Sequence, residues 1–196
     1  MSTGQWFVSR DGGKWWFDSG ALCLDFAYTG AMGDDLAWER LHEPADLRAW
    51  LADRFDRIDD TVSGRDLADA RALRGAIAAV ATALGTGDEP AADDIDTINL
   101  YAATPNIPPS IPGGNRQAGR RAVPTGQALS SLARDAVSLL SEHGHGRIRE
   151  CAAAECSLVF YDESRSNNRR WCSMQRCGNR SKVRAHRDRA ARPAAS

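Results

Sequence analysis

The rhythm of apolar and polar positions changes along the chain. At the start, WFVSRDGGKWWF alternates on both sides of Asp11–Gly12–Gly13, which predicts two short strands joined by a turn, a β-hairpin. In the next segment, ALCLDFAYTG, the apolar residues Leu22, Leu24 and Phe26 also alternate, and the pattern fits either a third strand or the start of a helix. From about Glu43 the period becomes helical. Pro44 suits a first helical position, and Leu47, Trp50, Leu51 and Phe55 follow at helical spacing. A longer helix starts near Ser63, with Leu67, Ala70, Leu73, Ile77, Val80 and Leu84 on one face and Gly85 to Gly87 at its end. A third runs from about Pro90 to Ala103, with Ile95, Ile98 and Ala102 inward. A fourth runs from about Thr125 to His143, with Leu129, Leu132, Ala136, Leu139 and Leu140 on one side. Between these two, residues 104–126 hold five of the eight prolines and four glycines, interspersed with Arg116, Arg120 and Arg121, and read as a long loop or extended arm. No internal repeat is present.

Beyond the helices the pattern shortens again. Leu158–Tyr161 (LVFY) reads as a strand, Asp162–Asn168 as a turn, and Arg169–Trp171 as a return strand. The following GNRSKVRAHRDRAAR reads as a helix capped by Asn179 or Ser181. The expected fold is therefore mainly α: a multihelical N-terminal domain with a short β-hairpin over residues 1–145, then a small β-hairpin plus α-helix module over residues 146–192. Residues 193–196 are expected to be a disordered tail.

Composition sharpens this division. The 196 residues are 42% apolar, enough for a packed core, and ten of the 14 aromatic residues fall within the first 55. No apolar run reaches the length of a membrane span, and the first residues lack the features of a secretion signal, so the expected location is cytoplasmic and no membrane partner is expected. The net charge of −1 hides an asymmetry: residues 1–144 carry 13 basic and 21 acidic side chains, whereas residues 145–196 carry 12 and 5. A basic end of this kind predicts an anionic partner.

Four of the five cysteines follow the pattern C-x4-C-x15-C-x4-C at Cys151, Cys156, Cys172 and Cys177. Two close thiolate pairs brought together by a chain reversal supply the tetrahedral set that zinc prefers. Four sulfurs leave no open position for water, so one Zn2+ per chain would be structural. An exported disulfide module, unligated thiols and an iron–sulfur cluster are the alternatives. So short a segment has little core of its own, and the metal is expected to supply much of its folding free energy, so that chelation would unfold the last 50 or so residues and spare the helices. In the helix that follows, Arg180, Arg184 and Arg187 share one face, with Lys182, His186 and Arg189 on an adjoining one. An arginine-covered helix beside a zinc site suits phosphate contact and entry into a DNA groove, with Arg169 and Arg170 widening the patch. A solvated helix that only buttresses the metal is the alternative.

These residues resemble the CGNR zinc-finger family, named for the four residues that stand here as Cys177, Gly178, Asn179 and Arg180. The likeness runs from about Arg147 to Arg189 and takes in both cysteine pairs, Phe160, Asp162 and Ser164 of LVFYDESR, and the RRWCSM block at Arg169–Met174. In that family the finger follows an N-terminal domain called ABATE, and GALCLDFAYTG with PADLRAWL resembles its opening, with Tyr28 where the family carries asparagine. The resemblance implies zinc on Cys151, Cys156, Cys172 and Cys177, double-stranded DNA as partner, and transcription regulation.

Within that reading, Gly178 allows a close backbone approach around the metal, Asn179 serves free amides at a helix start, and Phe160 packs on Trp171 across the hairpin. Cys23, between Leu22 and Leu24, reads as a buried structural thiol. His143 and His145 read as linker, because four cysteines already fill a tetrahedron. Trp15, Trp16, Phe26 and Trp38 are candidates to wall a small-molecule effector pocket, against a reading in which they form core; a surface pairing two chains into a homodimer is a third use. No serine–histidine–carboxylate set, glycine-rich phosphate cradle or HExxH pair is present, and no enzymatic activity is expected. The expected function is a zinc-dependent DNA-binding transcription regulator whose N-terminal domain senses a ligand or dimerises. The alternative is a zinc-stabilised protein-interaction or RNA-binding module.

Overall fold

A computed structural model describes residues 3–8, 12–30, 32, 38–111, 122–141 and 146–191, with the side chains of residues 185 and 188–191 left aside. Asp11, Asp34–Asp35, Arg116, Arg120, Arg121, His143, His145 and residues 192–196 lie outside the described residues, as does the side chain of Arg189.

The chain opens with the expected hairpin. Strand β1 (Gln5–Val8) pairs antiparallel with β2 (Lys14–Phe17), with Trp6 opposite Trp16 and Phe7 opposite Trp15. Strand periodicity then sends Phe7, Trp15 and Phe17 inward and Trp6, Val8 and Trp16 outward. Helix α1 (Leu22–Ala27) settles the ambiguous segment: five of its six residues are buried, so it shows no polar face by which the sequence could reveal a helical period. A first-turn amide of this helix is served from afar, as Cys23 N–H donates to Asp135 Oδ2 at 2.8 Å. Asp25 on α1 accepts from Gly4 N–H and from the Ser19 hydroxyl, both at 2.7 Å, tying the hairpin to the helix; burial raises its pKa.

Helix α2 (Pro44–Ala52) begins at the predicted proline behind a reciprocal Glu43–Asp46 capping box. Helix α3 (Gly64–Thr86) is capped by Ser63 with Asp66, and it runs through Gly85 to end at Gly87. It is the central rod, against which α1, α2, α4 (Ala92–Ala102) and α5 (Thr125–Leu140) all pack. Leu67, Ala70, Leu73, Ile77 and Val80 are buried along it as predicted. On α4 only Ile98 is buried; Ile95, expected inward, is 40% exposed.

The largest departure concerns the C-terminal segment. Strand β4 (Val159–Tyr161) does not pair with residues 169–171. Its partner is β3 (Ile148–Glu150), with Ile148 opposite Tyr161 and Glu150 opposite Val159. The reason lies in Asp162. It is fully buried, its carboxylate accepts from Ser164 N–H and Arg169 N–H, and Arg147 donates to the carbonyls of Asp162 and Ser164. The turn is thereby folded onto itself, and the returning chain meets Ala152 N–H through Arg170 O instead of β4.

Nor is this segment a coreless appendage. Ile148, Leu158, Val159 and Phe160 belong to one continuous buried cluster with the helical body, and both β3 and β4 pack on α3. Tyr28 is fully buried, and its hydroxyl accepts from Val159 N–H and donates to Val159 O, both at 2.8 Å, completing the open edge of β4 with a side chain. Tyr161 N–H donates to Ser19 O, and a side chain at Gly20 (φ +81°) would meet Tyr161 O at 2.4 Å, so glycine is required there. Tyr28→Phe leaves two buried backbone groups without partners, and we expect it to destabilise the chain by about 1–3 kcal/mol in urea unfolding.

Candidate metal centre and nucleic-acid interface

Cys151 follows β3 directly and Cys156 ends the short knuckle Ala152–Glu155. Cys151 N–H donates to Leu158 O, and Cys156 N–H to Ala153 O, which curls the knuckle back on itself. Cys172 arrives on the chain that returns from the Asp162 turn, and Cys177 sits in a π turn (Met174–Gly178), whose closing bond runs from Gly178 N–H to Ser173 O. At Gly178 a Cβ would meet Met174 Sδ at 2.7 Å and Trp171 Cδ1 at 3.2 Å, so the absence of a side chain lets Met174 and Trp171 lie close over the turn. Gly178 thus makes the close approach predicted for it, towards those two side chains.

The four sulfurs lie within 4.8 Å of one another, and three of the four cysteines are buried. Cys172 Sγ is 3.5 Å from Cys177 Sγ and 3.7 Å from Cys156 Sγ. Such crowding polarises the titration of the thiols. Hydrogen bonds from Cys156 and Cys172 pull the Cys151 pKa down, whereas Cys156 and Cys172 are pushed up by the neighbouring sulfur, helped by burial. Sulfurs this close repel one another as thiolates, and an all-sulfur set of this size fits tetrahedral Zn2+. Two further groups serve negative charge on the sulfurs: Cys172 N–H points at Cys151 Sγ at 3.4 Å, and Arg180 Nη2 lies 3.9 Å from Cys177 Sγ.

Helix α6 (Asn179–Ala191) continues from the π turn without a break, and it packs chiefly against that turn. Asn179 therefore has helical dihedrals and donates back to Gln175 O, contrary to the expected capping role. Arg180, Lys182, Arg184, His186 and Arg187 are all exposed. Arg180, Arg184 and Arg187 share a face, as predicted, and with Asn179, Ser181 and Val183 they form one wall of a groove of about 570 Å³. Ala153, Ala154, Glu155 and Cys156 form the other wall. A second cavity of about 520 Å³ adjoins the knuckle over residues 150–157. Glu155 carries no spacing or motif that marks it as functional, although it is the only charged residue between the first two cysteines. It meets Arg184 Nη2 at 3.3 Å across the groove.

The two arginines before Cys172 part ways. Arg170 is exposed, its guanidinium 5.1 Å over the Trp171 ring. Arg169 is half-buried, stacked 4.1 Å over Phe160, and it donates to Trp171 O, Cys172 O and Asp18 O. These guanidiniums occupy the ring faces where Phe160 and Trp171 are expected to meet, and no ring pair joins the two among the described residues. Arg169 thus clamps the carbonyl of a metal ligand to the loop before α1, leaving little of it for an external anion. Arg176 of the π turn stacks 4.5 Å over Trp15 and adds a second tie to the body.

The four candidate pocket residues do not converge. Trp15 packs on Phe7 and Phe17, Phe26 on Trp50, and Trp38 on Phe7, all towards the core, while Trp16 meets Trp6 on the outer face of the hairpin. Cys23 is fully buried, and burial raises its pKa. Among the described residues no helix is long and apolar enough to cross a membrane.

Comparison with known proteins adds two matches. Residues 20–143 match the ABATE family, described as "Putative stress-induced transcription regulator", and residues 147–190 match the CGNR zinc finger. No curated protein matches the chain. The zinc-finger match and the clustered cysteines together give the chain one structural zinc. Metal analysis should return about one zinc per chain. Because the zinc segment shares its core with the helices, we expect a chelator, or Cys172→Ser, to lower the thermal midpoint of the whole chain in a single transition. Intact helical signal beside a melted C-terminal segment would contradict this.

Proposed function

The chain belongs to the ABATE family of transcription regulators and carries a CGNR zinc finger, and from that premise we propose that it binds double-stranded DNA through Arg180, Arg184 and Arg187 of α6 and regulates transcription in the cytoplasm. The observation that carries this reading is the groove beside the metal centre, where three exposed guanidiniums of one helical face line a single wall. Duplex DNA favours such a row, because each neutralised phosphate releases condensed counterions and the forked donors match acceptors on phosphates and base edges alike. Lys182 and Arg170 extend the cationic surface, and Arg189 adds to it by sequence.

Zinc, when bound, joins the knuckle and the helix start through four sulfur bonds and so lends rigidity to both walls. The chain's own residues do the rest. Gly178 leaves room for Met174 and Trp171 over the π turn, Cys177 anchors the base of α6, and Arg169 fixes the Cys172 carbonyl to the body. A rigid base matters because a helix that reads a groove has to enter it in one register. The body's part in this proposal is to sense an effector or to pair two chains. Pairing is favoured by the outer face of the hairpin, where Trp6 is 59% and Trp16 40% exposed beside Val8.

Replacing Arg180, Arg184 and Arg187 together by alanine should abolish duplex binding at moderate salt. Any residual binding should show a salt slope flatter by about 0.9 for each phosphate left without its arginine. Gel-shift titrations with duplex DNA, single strands and structured RNA at one ionic strength, repeated for duplex DNA across a salt series, measure both. Unchanged affinity in the triple variant would overturn the proposal, and equal affinity for all three nucleic acids would favour an RNA-binding or interaction module.

A further inference from the structure

The groove contains one feature that simple phosphate binding does not require. Its arginine wall faces a carboxylate: Glu155 approaches Arg184 Nη2 at 3.3 Å, and both side chains are well exposed. Exposed ion pairs of this kind contribute little to stability. A phosphate arriving at Arg184 would displace Glu155 and then lie beside its negative charge. At this position the groove is therefore poorly suited to a phosphate, unlike at Arg180 and Arg187.

One class of ligand satisfies both groups. In the major groove a guanine offers N7 and O6 as acceptors, and the cytosine paired to it offers the N4 amino group as a donor. Guanine O6 and cytosine N4 are themselves hydrogen-bonded, so acceptor and donor lie side by side at about hydrogen-bond distance. Arg184 and Glu155 form a matching row, a forked donor next to an acceptor. We propose that Arg184 and Glu155 together read one G·C base pair, Arg184 on guanine and Glu155 on cytosine, while Arg180 and Arg187 hold flanking phosphates. The assignment rests on the DNA-binding reading above and deepens it.

The metal centre gives this pair its fixed spacing. Glu155 precedes the ligand Cys156 on the knuckle, and Arg184 lies about two helical turns beyond the ligand Cys177, so the two side chains approach from walls tied to one ion. An adenine under Arg184 mismatches the row, because its N6–H2 would face a guanidinium and thymine O4 a carboxylate; the reversed pair keeps acceptor beside donor but sets the thymine C5-methyl where guanine N7 takes the second arm of the fork. The acid therefore serves discrimination more than affinity, since it weakens the hold on bare phosphate and accepts only from a base that offers an amino group at that place.

The test is selection from a pool of duplexes with a randomised centre at one fixed salt concentration, using the full chain and the variants Glu155→Ala and Arg184→Ala. Neither residue holds the metal and both are exposed, so both variants should keep about one zinc per chain. The wild-type chain should enrich a G·C pair at one position, with about tenfold preference over A·T. Arg184→Ala should lose the preference at that position, and Glu155→Ala should weaken it at the same position. Glu155→Ala should also bind the unselected pool about two- to fivefold more tightly, because the competing carboxylate is gone. Unchanged enrichment in either variant, or relaxation at two different positions, would overturn the inference while leaving DNA binding intact. Failure of the wild-type chain to retain any duplex would overturn the DNA-binding reading and this inference with it.

Discussion

Four sulfurs held within 4.8 Å of one another form an arrangement that is costly to charge and useful only when charged. A divalent cation resolves the conflict, and the rest of the C-terminal segment can be understood as what must be true for that cation to be held. The π turn brings Cys177 into reach, the buried Asp162 carboxylate folds the turn that returns Cys172, and Arg180 and a backbone amide attend the sulfurs. Together they make the finger one mechanical piece.

That piece is grafted into the helical body. Tyr28 supplies a side-chain substitute for a neighbouring strand, with one hydroxyl serving both backbone groups of Val159. Arg169 bridges Asp18 O and Cys172 O, and Arg176 covers Trp15. All three ties converge on the opening of the chain, from the hairpin to the residue that follows α1. The body and the metal segment are therefore stabilised by overlapping interactions, and a disturbance of the hairpin has a short physical route to Cys172.

Much of this is legible in the sequence, and the failures have physical causes. The hairpin and the four main helices carry clean periods, with Pro44 and Ser63 marking starts. Helix α1 does not, because a helix buried all round has no polar face. The partner of β4 escapes a sequence reading because three residues with two charges, Ile148–Glu150, give almost no strand signal, whereas the nearby Arg169–Trp171 looks like a natural return. The cysteine spacing points to the metal set directly. It is silent on the fate of individual arginines: Arg169 and Arg170 are adjacent and identical in type, yet only one is drawn inside, by the Phe160 face and three carbonyls available in the folded chain. Tyr28, in sequence only a departure from the family's asparagine, likewise gains its meaning from a strand edge 131 residues away.

Helix α6 packs chiefly on the five-residue π turn, and at 13 residues it is roughly 20 Å long. Such a proportion makes it a lever. A tilt of about 10° at its root would carry its far end some ~3 Å sideways, close to the rise of one base pair along a duplex. In the DNA-binding reading proposed above, the stiffness of Ser173 to Gly178 therefore sets how well the helix keeps its register along a duplex.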